Sequence, residues 1–256
     1  MSAMSTSAIL DVLQTGTMEI EGLLPWSSNY TFLVTICAET GTAEPITLEA
    51  VYKPRRGERP LWDFATGSLC QRERAAFLVS DALIWDIVPP TVLRDGGHGI
   101  GSVQLFIAHD PEQHYFTFEG NPLYRIQLQK TVLFDILVNN ADRKSGHVLL
   151  GAGANEGDNN QQRLWGIDHG ICFHTEYKLR TVIWEFAGQP IPTALMSNLI
   201  QLRARLEQPS DSVTTALAEL LTPQEIAALR QRLKQLIKQD SFPLPGPGRH
   251  YPWPPV

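Results

Sequence analysis

Runs of β-branched and aromatic residues, separated by glycine, serine, asparagine and proline, occupy much of the first hundred positions. This pattern predicts strands at 18–24, 30–36, 46–52, 91–94 and 102–107. One helix interrupts them, because apolar residues recur at helical spacing from Ser68 to Leu83, before Pro89 and Pro90 end the pattern. The first three strands should form an antiparallel meander.

Helical spacing dominates the second half of the chain. It predicts helices at 124–139, 194–207, 212–221 and 223–239, the last with Thr222 as its N-cap. Two short strands, at 148–150 and 164–167, should form a hairpin around a polar loop. The proline-rich segment 242–256 cannot be helical.

This order of elements predicts an α+β fold with two lobes. The N-terminal lobe, residues 1–107, would hold the antiparallel sheet and one helix. The C-terminal lobe, residues 108–256, would be mostly helical. A ligand site is expected in the cleft between them, where such sites commonly form.

Composition narrows the range of functions. Hydrophobic residues make up 43% and charged residues 19% of the 256 positions, which excludes a disordered chain. The formal net charge is −6 and there is no basic stripe, so we expect no nucleic-acid partner. No apolar run is long enough for a transmembrane segment, and neither the N-terminus nor the three cysteines suggest secretion. These features predict a cytoplasmic protein.

Two aspartates of the second half are candidates for chemistry. Asp142 lies in the polar loop NNADRKSGH, and Asp168 follows the second short strand in GIDHG. The hairpin should place both carboxylates at its same end, where such a pair can serve metal binding or proton transfer. Taken alone, an aspartate in a polar loop is more often a turn or capping residue.

The spacing around these aspartates matches that of kinases. Their catalytic loop reads D-x-x-x-x-N, and a second aspartate follows in D-F-G. Here Lys144 is the second residue after Asp142, His147 is the fifth, and Asp168 begins the sequence DHG.

The first half supplies the other parts of such a site. Lys53 closes the third strand, and Glu73 lies one turn into the following helix, where the two could pair across the cleft. Taken alone, Lys53 is better explained as a solvated strand end, and Glu73 as a residue on an exposed helix face. The order of all four parts on the expected elements favours a kinase.

In these segments the chain resembles the phosphatidylinositol 3-/4-kinase-related branch of the protein-kinase-like superfamily. It is similar to type II phosphatidylinositol 4-kinases and to a related bacterial family of about this length. The resemblance spans roughly residues 18 to 175. It rests on YKP at 52–54, ERAAFLVSDAL at 73–83, VPPT at 88–91, GSVQLFI at 101–107, LFDILVNNADRKSGHVLL at 133–150 and GIDHGICF at 166–173.

The resemblance implies a protein-kinase-like fold that holds ATP between the lobes. Lys53 would contact the ATP phosphates, with Glu73 as its partner. The hinge strand, which offers main-chain groups to adenine, would consist of Gln104, Leu105 and Phe106. Ser28 and Asn29 lie where the family has its phosphate-binding loop, although a β-turn explains them equally well, because the glycine-rich pattern of protein kinases is missing.

The resemblance also implies the roles of the second half. Asp142 would orient the attacking hydroxyl, Lys144 would stabilise the transferring phosphate, and Asp168 would bind Mg²⁺ or Mn²⁺. His147 departs from the pattern, because it replaces the usual asparagine ligand. As a metal ligand it would favour manganese, and metal-dependent activity should fall as the pH drops through a value near or below about 6.5. A structural histidine that bonds to the loop backbone is the alternative.

Three functions remain open at this point. The first is an ATP-dependent phosphotransferase whose acceptor is a hydroxyl of a lipid, a protein or a small molecule. The second is a regulatory pseudokinase that binds nucleotide without turnover. The third is transfer of AMP on the same fold.

Overall fold

Five antiparallel strands form the N-terminal sheet, in the order β1-β2-β3-β5-β4. The computed structural model describes residues 4–24, 29–39, 45–152 and 162–256. The strands are β1 (Thr17–Leu23), β2 (Phe32–Ala38), β3 (Ile46–Pro54), β4 (Thr91–Asp95) and β5 (Ile100–Leu105). The predicted meander of the first three strands is confirmed.

Two strands are displaced by two residues from their predicted positions. β2 starts at Phe32 instead of position 30, because the preceding residues turn onto the segment after β3, where the Tyr30 N–H donates to the Gly57 carbonyl (3.3 Å). β5 spans Ile100–Leu105 instead of 102–107, because the tight turn at 96–99 lets pairing with β4 begin directly after it.

A helix that the sequence analysis did not predict, α1 (Thr6–Thr15), covers the outer face of this sheet. Ser5 caps it by accepting the Ala8 N–H (3.2 Å). Its buried residues, which join the core on that face, are Ile9, Val12 and Leu13. Gly16 ends the helix, and a Cβ there would lie 2.6 Å from the Ile36 side chain, so this approach requires glycine.

The remaining part of the chain is mostly helical, as predicted. Its helices are α3 (Tyr115–Phe118), α4 (Arg125–Val138), α5 (Thr193–Glu207), α6 (Ser212–Ala218) and α7 (Pro223–Gln239). The hairpin consists of β6 (Val148–Ala152) and β7 (Gln162–Gly166). Thr222 caps α7 as predicted, while the single turn of α3 was not predicted.

α2 (Leu69–Ala82) lies between the two halves. It packs on β4 and β5, and its apolar residues share the main core with those of α4, α5, α6 and α7. The division at residues 107 and 108 stays a prediction. Among the described residues, no helix is both long and apolar enough to cross a membrane.

Candidate active site

Lys53, Glu73 and Asp168 form an ion-pair network between the sheet lobe and the helical lobe. The Lys53 ammonium lies 2.6 Å from Glu73 Oε1 and 2.9 Å from Asp168 Oδ1. β3 holds Lys53 opposite Ser102 of β5, and Glu73 is a buried residue of α2. The predicted pairing of Lys53 with Glu73 is therefore present, and Asp168 joins it from the helical lobe.

The main chain and the neighbouring charges fix Asp168. Its φ is 60°, a left-handed conformation that is uncommon for residues other than glycine. The N–H of the following residue, His169, donates to Glu73 Oε2 (2.9 Å), so Glu73 binds Lys53 with one oxygen and this turn with the other. The Lys53 charge holds the pKa of Asp168 well below its usual range. Burial lowers the pKa of Lys53, but the charges of Asp168 and Glu73 outweigh it and raise that pKa.

The loop after α4 carries Asp142 and Lys144. The Asn140 side-chain oxygen accepts the Asp142 N–H (2.9 Å), which fixes the start of the loop. The Lys144 ammonium lies 3.4 Å from Asp142 Oδ2. Burial raises the pKa of Asp142 above its ordinary value, and although Lys144 opposes this shift, the charge of Asp168 adds to it. Asp142 is therefore a carboxylate that takes up a proton more readily than an exposed one.

His147 faces Asp168 with one ring nitrogen and the loop backbone with the other. Its Nδ1 lies 3.0 Å from the Asp142 carbonyl oxygen, so Nδ1 carries the proton and donates it. Nε2 then has a free lone pair, and it lies 3.4 Å from Asp168 Oδ2. Burial lowers the pKa of His147 to about 4, which keeps the ring neutral near pH 7. His147 therefore makes the backbone contact expected of a structural histidine, and its Nε2 is also oriented as a metal ligand would be.

These two residues could hold a divalent cation together with a ligand. Within the described residues, no group of three or more histidine, cysteine, aspartate and glutamate side chains lies close enough to hold a metal by itself. Asp168 and His147 offer one carboxylate oxygen and one imidazole nitrogen on the same side of the cleft. Magnesium in nucleotide sites commonly takes one or two protein carboxylates and completes its shell with phosphates and water.

Arg143, for which the sequence predicted no role, holds together the two loops that carry the site residues. Its guanidinium is fully buried and pairs with Asp135 of α4 (2.9 Å). It also donates to the carbonyl groups of His147 (3.0 Å) and Ile167 (2.8 Å), the residue before Asp168. Arg143 therefore connects the loop of Asp142 to the turn of Asp168. A signal was present in the sequence, because Asp135 interrupts the apolar run LFDILV and a buried carboxylate needs a charged partner.

The proline-rich segment 242–256 has no helix, as predicted, and lies against the same loop. The Ser145 N–H, between Lys144 and His147, donates to the Pro255 carbonyl (2.8 Å). The Thr181 N–H donates to the His250 carbonyl (3.1 Å). The segment thus supports the loop from the side of the helical lobe.

One cavity of about 400 Å³ collects most of the predicted site residues. Those in its lining are Asn29, Lys53, Glu73, Asp142, Lys144, His147 and Asp168. Ser28 lies outside the described residues. Lys53, predicted to contact the ATP phosphates, and Asp142, predicted to orient the attacking hydroxyl, thus face one shared space.

The predicted hinge residues do not line this cavity. The Gln104 side chain lies within the sheet and donates to Thr91 Oγ1 (2.8 Å). The N–H groups of Leu105 and Phe106 donate to the carbonyls of Pro90 (2.8 Å) and Glu49 (3.0 Å). An adenine bound at Leu105 or Phe106 would therefore have to use their carbonyl oxygens. The hinge assignment stays a prediction.

Comparison with known sequences agrees with the resemblance to phosphatidylinositol kinases noted above. The family model for phosphatidylinositol 3- and 4-kinase matches residues 95–226, about half of the chain. The chain is 37% identical to Protein Rv2133c of Mycobacterium tuberculosis (strain ATCC 25618 / H37Rv) over 276 residues, which cover 95% of this chain and 94% of that protein. It is 32% identical to phosphatidylinositol 4-kinase gamma 3 of Arabidopsis thaliana over 90 residues, 35% of this chain and 15% of the plant protein.

Comparison with solved structures identifies the fold. The Golgi casein kinase with Mn/ADP bound superposes with a TM-score of 0.56 and 16% sequence identity, covering 91% of this chain and 74% of that chain. At this identity the likeness concerns the fold, which is the two-lobed kinase-like fold predicted from the sequence.

Proposed function

Because the chain belongs to the phosphatidylinositol 3- and 4-kinase family, we propose that it is an ATP-dependent phosphotransferase that moves the γ-phosphate of ATP to a hydroxyl group. The observation that carries this proposal is the Lys53–Glu73–Asp168 network in the wall of the cavity that also holds Asp142 and Lys144. Phosphoryl transfer requires little covalent chemistry from the protein, so positioned charges account for most of the rate.

Each charged side chain would act at a different point of the transfer. Lys53, held between two carboxylates, would bind the phosphates of ATP with a charge already in place. Asp142 would accept a hydrogen bond from the acceptor hydroxyl and orient it, and its raised pKa suits a group that takes up a proton. Lys144, next to Asp142, would offset the negative charge of the transferring phosphate.

Asp168 and His147 fit a divalent ion, because Asp168 Oδ2 and His147 Nε2, each with a lone pair to offer, lie 3.4 Å apart. Such an ion, when bound with ATP, would neutralise charge on the phosphate oxygens. An imidazole nitrogen suits manganese better than magnesium. The solved kinase that shares this fold was determined with Mn/ADP bound.

The acceptor is proposed as a hydroxyl compound without further identity. A phosphoinositide does not follow from the family name, because a fold hosts many substrates and the plant phosphatidylinositol 4-kinase matches over 15% of its own length. Lipid, protein and small-molecule hydroxyls are all compatible with the residues around Asp142.

Thermal unfolding with ATP tests the nucleotide part of the proposal. A ligand at one hundred times its Kd stabilises the folded state by about 2.7 kcal/mol, which corresponds to about 5–10 °C for a chain of this size. We expect such a shift with ATP and manganese or magnesium, and a reduced shift in Lys53→Met. No shift at millimolar ATP with either metal would contradict the proposal.

A further inference from the structure

Two segments of the sheet lobe close one side of the cavity. They are residues 29–31, before β2, and residues 57–61, between β3 and α2. The Arg59 N–H donates to the Asn29 side-chain oxygen (2.9 Å), and the Tyr30 N–H donates to the Gly57 carbonyl (3.3 Å). A Cβ on Gly57 would lie 2.6 Å from the Tyr30 Cβ, so glycine allows the two segments to meet. Asn29 thus holds Arg59 in place.

The residues on both sides of Arg59 are also fixed. The Glu58 carboxylate accepts the N–H groups of Leu69 (3.1 Å) and Cys70 (2.9 Å) at the start of α2. Its charge therefore stabilises the helix N-terminus, where Ser68 makes no side-chain cap. Pro60 restricts the backbone on the other side. The main chain of Arg59 is therefore held in one position next to the cavity.

Unlike the two lysines of the cavity, Arg59 has no carboxylate as an ion-pair partner among the described residues. Lys53 lies between Glu73 and Asp168, and Lys144 lies 3.4 Å from Asp142. Within the described part of the chain, no carboxylate lies within ion-pair distance of Arg59, which is exposed and yet lines the cavity. A guanidinium on a main chain fixed next to the cavity, without an ion-pair partner among the described residues, is suited to bind an anionic ligand.

We infer that Arg59 binds the γ-phosphate of ATP, an inference that rests on the proposed function. The planar guanidinium donates two parallel hydrogen bonds to a phosphate, so it can replace the main-chain N–H groups that a glycine-rich loop would supply. Arg59 also shares its cavity with Asp142 and Lys144, the residues predicted to act on the transferred group. The segment 57–61 is thus the part of the site that distinguishes ATP from shorter nucleotides.

Calorimetric titration of ATP, ADP and AMP with manganese tests this inference. We expect Arg59→Ala to weaken ATP binding about 10- to 100-fold, the usual range for a hydrogen bond to a charged group, and to leave ADP and AMP binding unchanged. Arg59→Lys should recover part of the loss. The matched control is Arg56→Ala, because Arg56 belongs to the same connection but lines a separate cavity with Phe32 and His98.

The three nucleotides separate the outcomes. Equal affinity of Arg59→Ala and the wild type for ATP would overturn the inference while the proposed function stands. An equal loss for ATP, ADP and AMP in a variant with the wild-type melting temperature would overturn it as well, because the effect would not concern the terminal phosphate. A wild type that binds none of them would overturn the proposed function and this inference with it.

Discussion

Replacing Glu225 by alanine should loosen α2 from the helical lobe. The Arg72 guanidinium, on α2, is hydrogen-bonded to Glu225 Oε1 and to the Cys172 carbonyl (2.6 Å). Arg72 is 4% exposed and Glu225 8% exposed, so the pair is buried. The second Glu225 oxygen accepts the Thr222 N–H (2.8 Å) and so caps α7. Because Arg72 directly precedes Glu73, this pair also holds the partner of Lys53 in position.

The magnitude follows from leaving the Arg72 charge without its partner. Breaking a buried pair from one side costs about 3–5 kcal/mol, and at about 2–4 °C per kcal/mol a loss of about 4 kcal/mol lowers the melting temperature by about 8–16 °C. Glu225→Gln keeps an acceptor for Thr222 and should lose less. Arg72→Met combined with Glu225→Leu removes both charges and should be more stable than either Arg72→Met or Glu225→Ala alone.

The assay combines urea unfolding with the KM for ATP. Glu207→Ala is the matched control, because it breaks an exposed pair with Arg203 (2.7 Å) that should contribute less than about 1 kcal/mol. We expect Glu225→Ala to raise the KM for ATP at a temperature where the variant is still folded, because Glu73 would no longer be held against Lys53. A Glu225→Ala protein within 1 kcal/mol of the wild type, or a double variant no better than the worse single one, would refute the reasoning.

Three further predictions concern the cavity. Asp142→Asn should abolish turnover while metal-dependent ATP binding persists, whereas Asp168→Asn should weaken both turnover and ATP binding. Titration calorimetry measures the binding and a turnover assay the activity of each variant. Wild-type turnover in both variants would contradict the roles assigned to Asp142 and Asp168. Manganese should support more activity than magnesium, and His147→Asn should narrow that difference; an unchanged metal ratio would show that His147 is not a ligand. Because burial lowers the pKa of His147 to about 4, the unfolded chain binds more protons than the folded one between about pH 4 and 6.5, so stability should fall as the pH drops through that range. His147→Asn should flatten this slope in unfolding titrations, and an unchanged slope would contradict the burial argument.

The lowered pKa of His147 narrows the expectation that metal-dependent activity falls as the pH drops through a value near or below about 6.5. Burial moves protonation of the ring to about pH 4, so an acid limb set by His147 would lie in the lower part of that range. Burial also raises the pKa of Asp142, so protonation of that carboxylate would lower activity in acid as well. Burial of this kind cannot be read from the loop sequence, because it depends on packing between the loop and the rest of the lobe.

Local patterns predicted most of the fold. The helix from Ser68 and the helices of the second half have long apolar stripes, and Thr222 begins α7 as predicted. The helix Thr6–Thr15 escaped prediction because its buried residues span little more than one turn and gain their stability from the sheet. The starts of β2 and β5 were displaced because turns and contacts distant in sequence decide where pairing begins.

Some residues of the candidate site could be predicted from the sequence, and others could not. Lys53, Glu73, Asp142 and Asp168 could be placed near one another because their order and spacing follow a known pattern, and they do meet in one cavity. Their roles remain predictions. Arg143 was not assigned, although its buried partner Asp135 left a signal in the apolar run LFDILV. Arg59 could not be assigned, because its position depends on the meeting of two loops.

Transfer of label from ATP tests the central claim most directly. The protein is incubated with manganese, a small-molecule and lipid extract, and ATP labelled at either the γ- or the α-phosphate, with Asp142→Asn as the control. We predict that the γ-label appears in a product, that ADP forms in equal amount, and that Asp142→Asn abolishes both. Transfer of the α-label, or γ-transfer that persists in Asp142→Asn, would contradict the account.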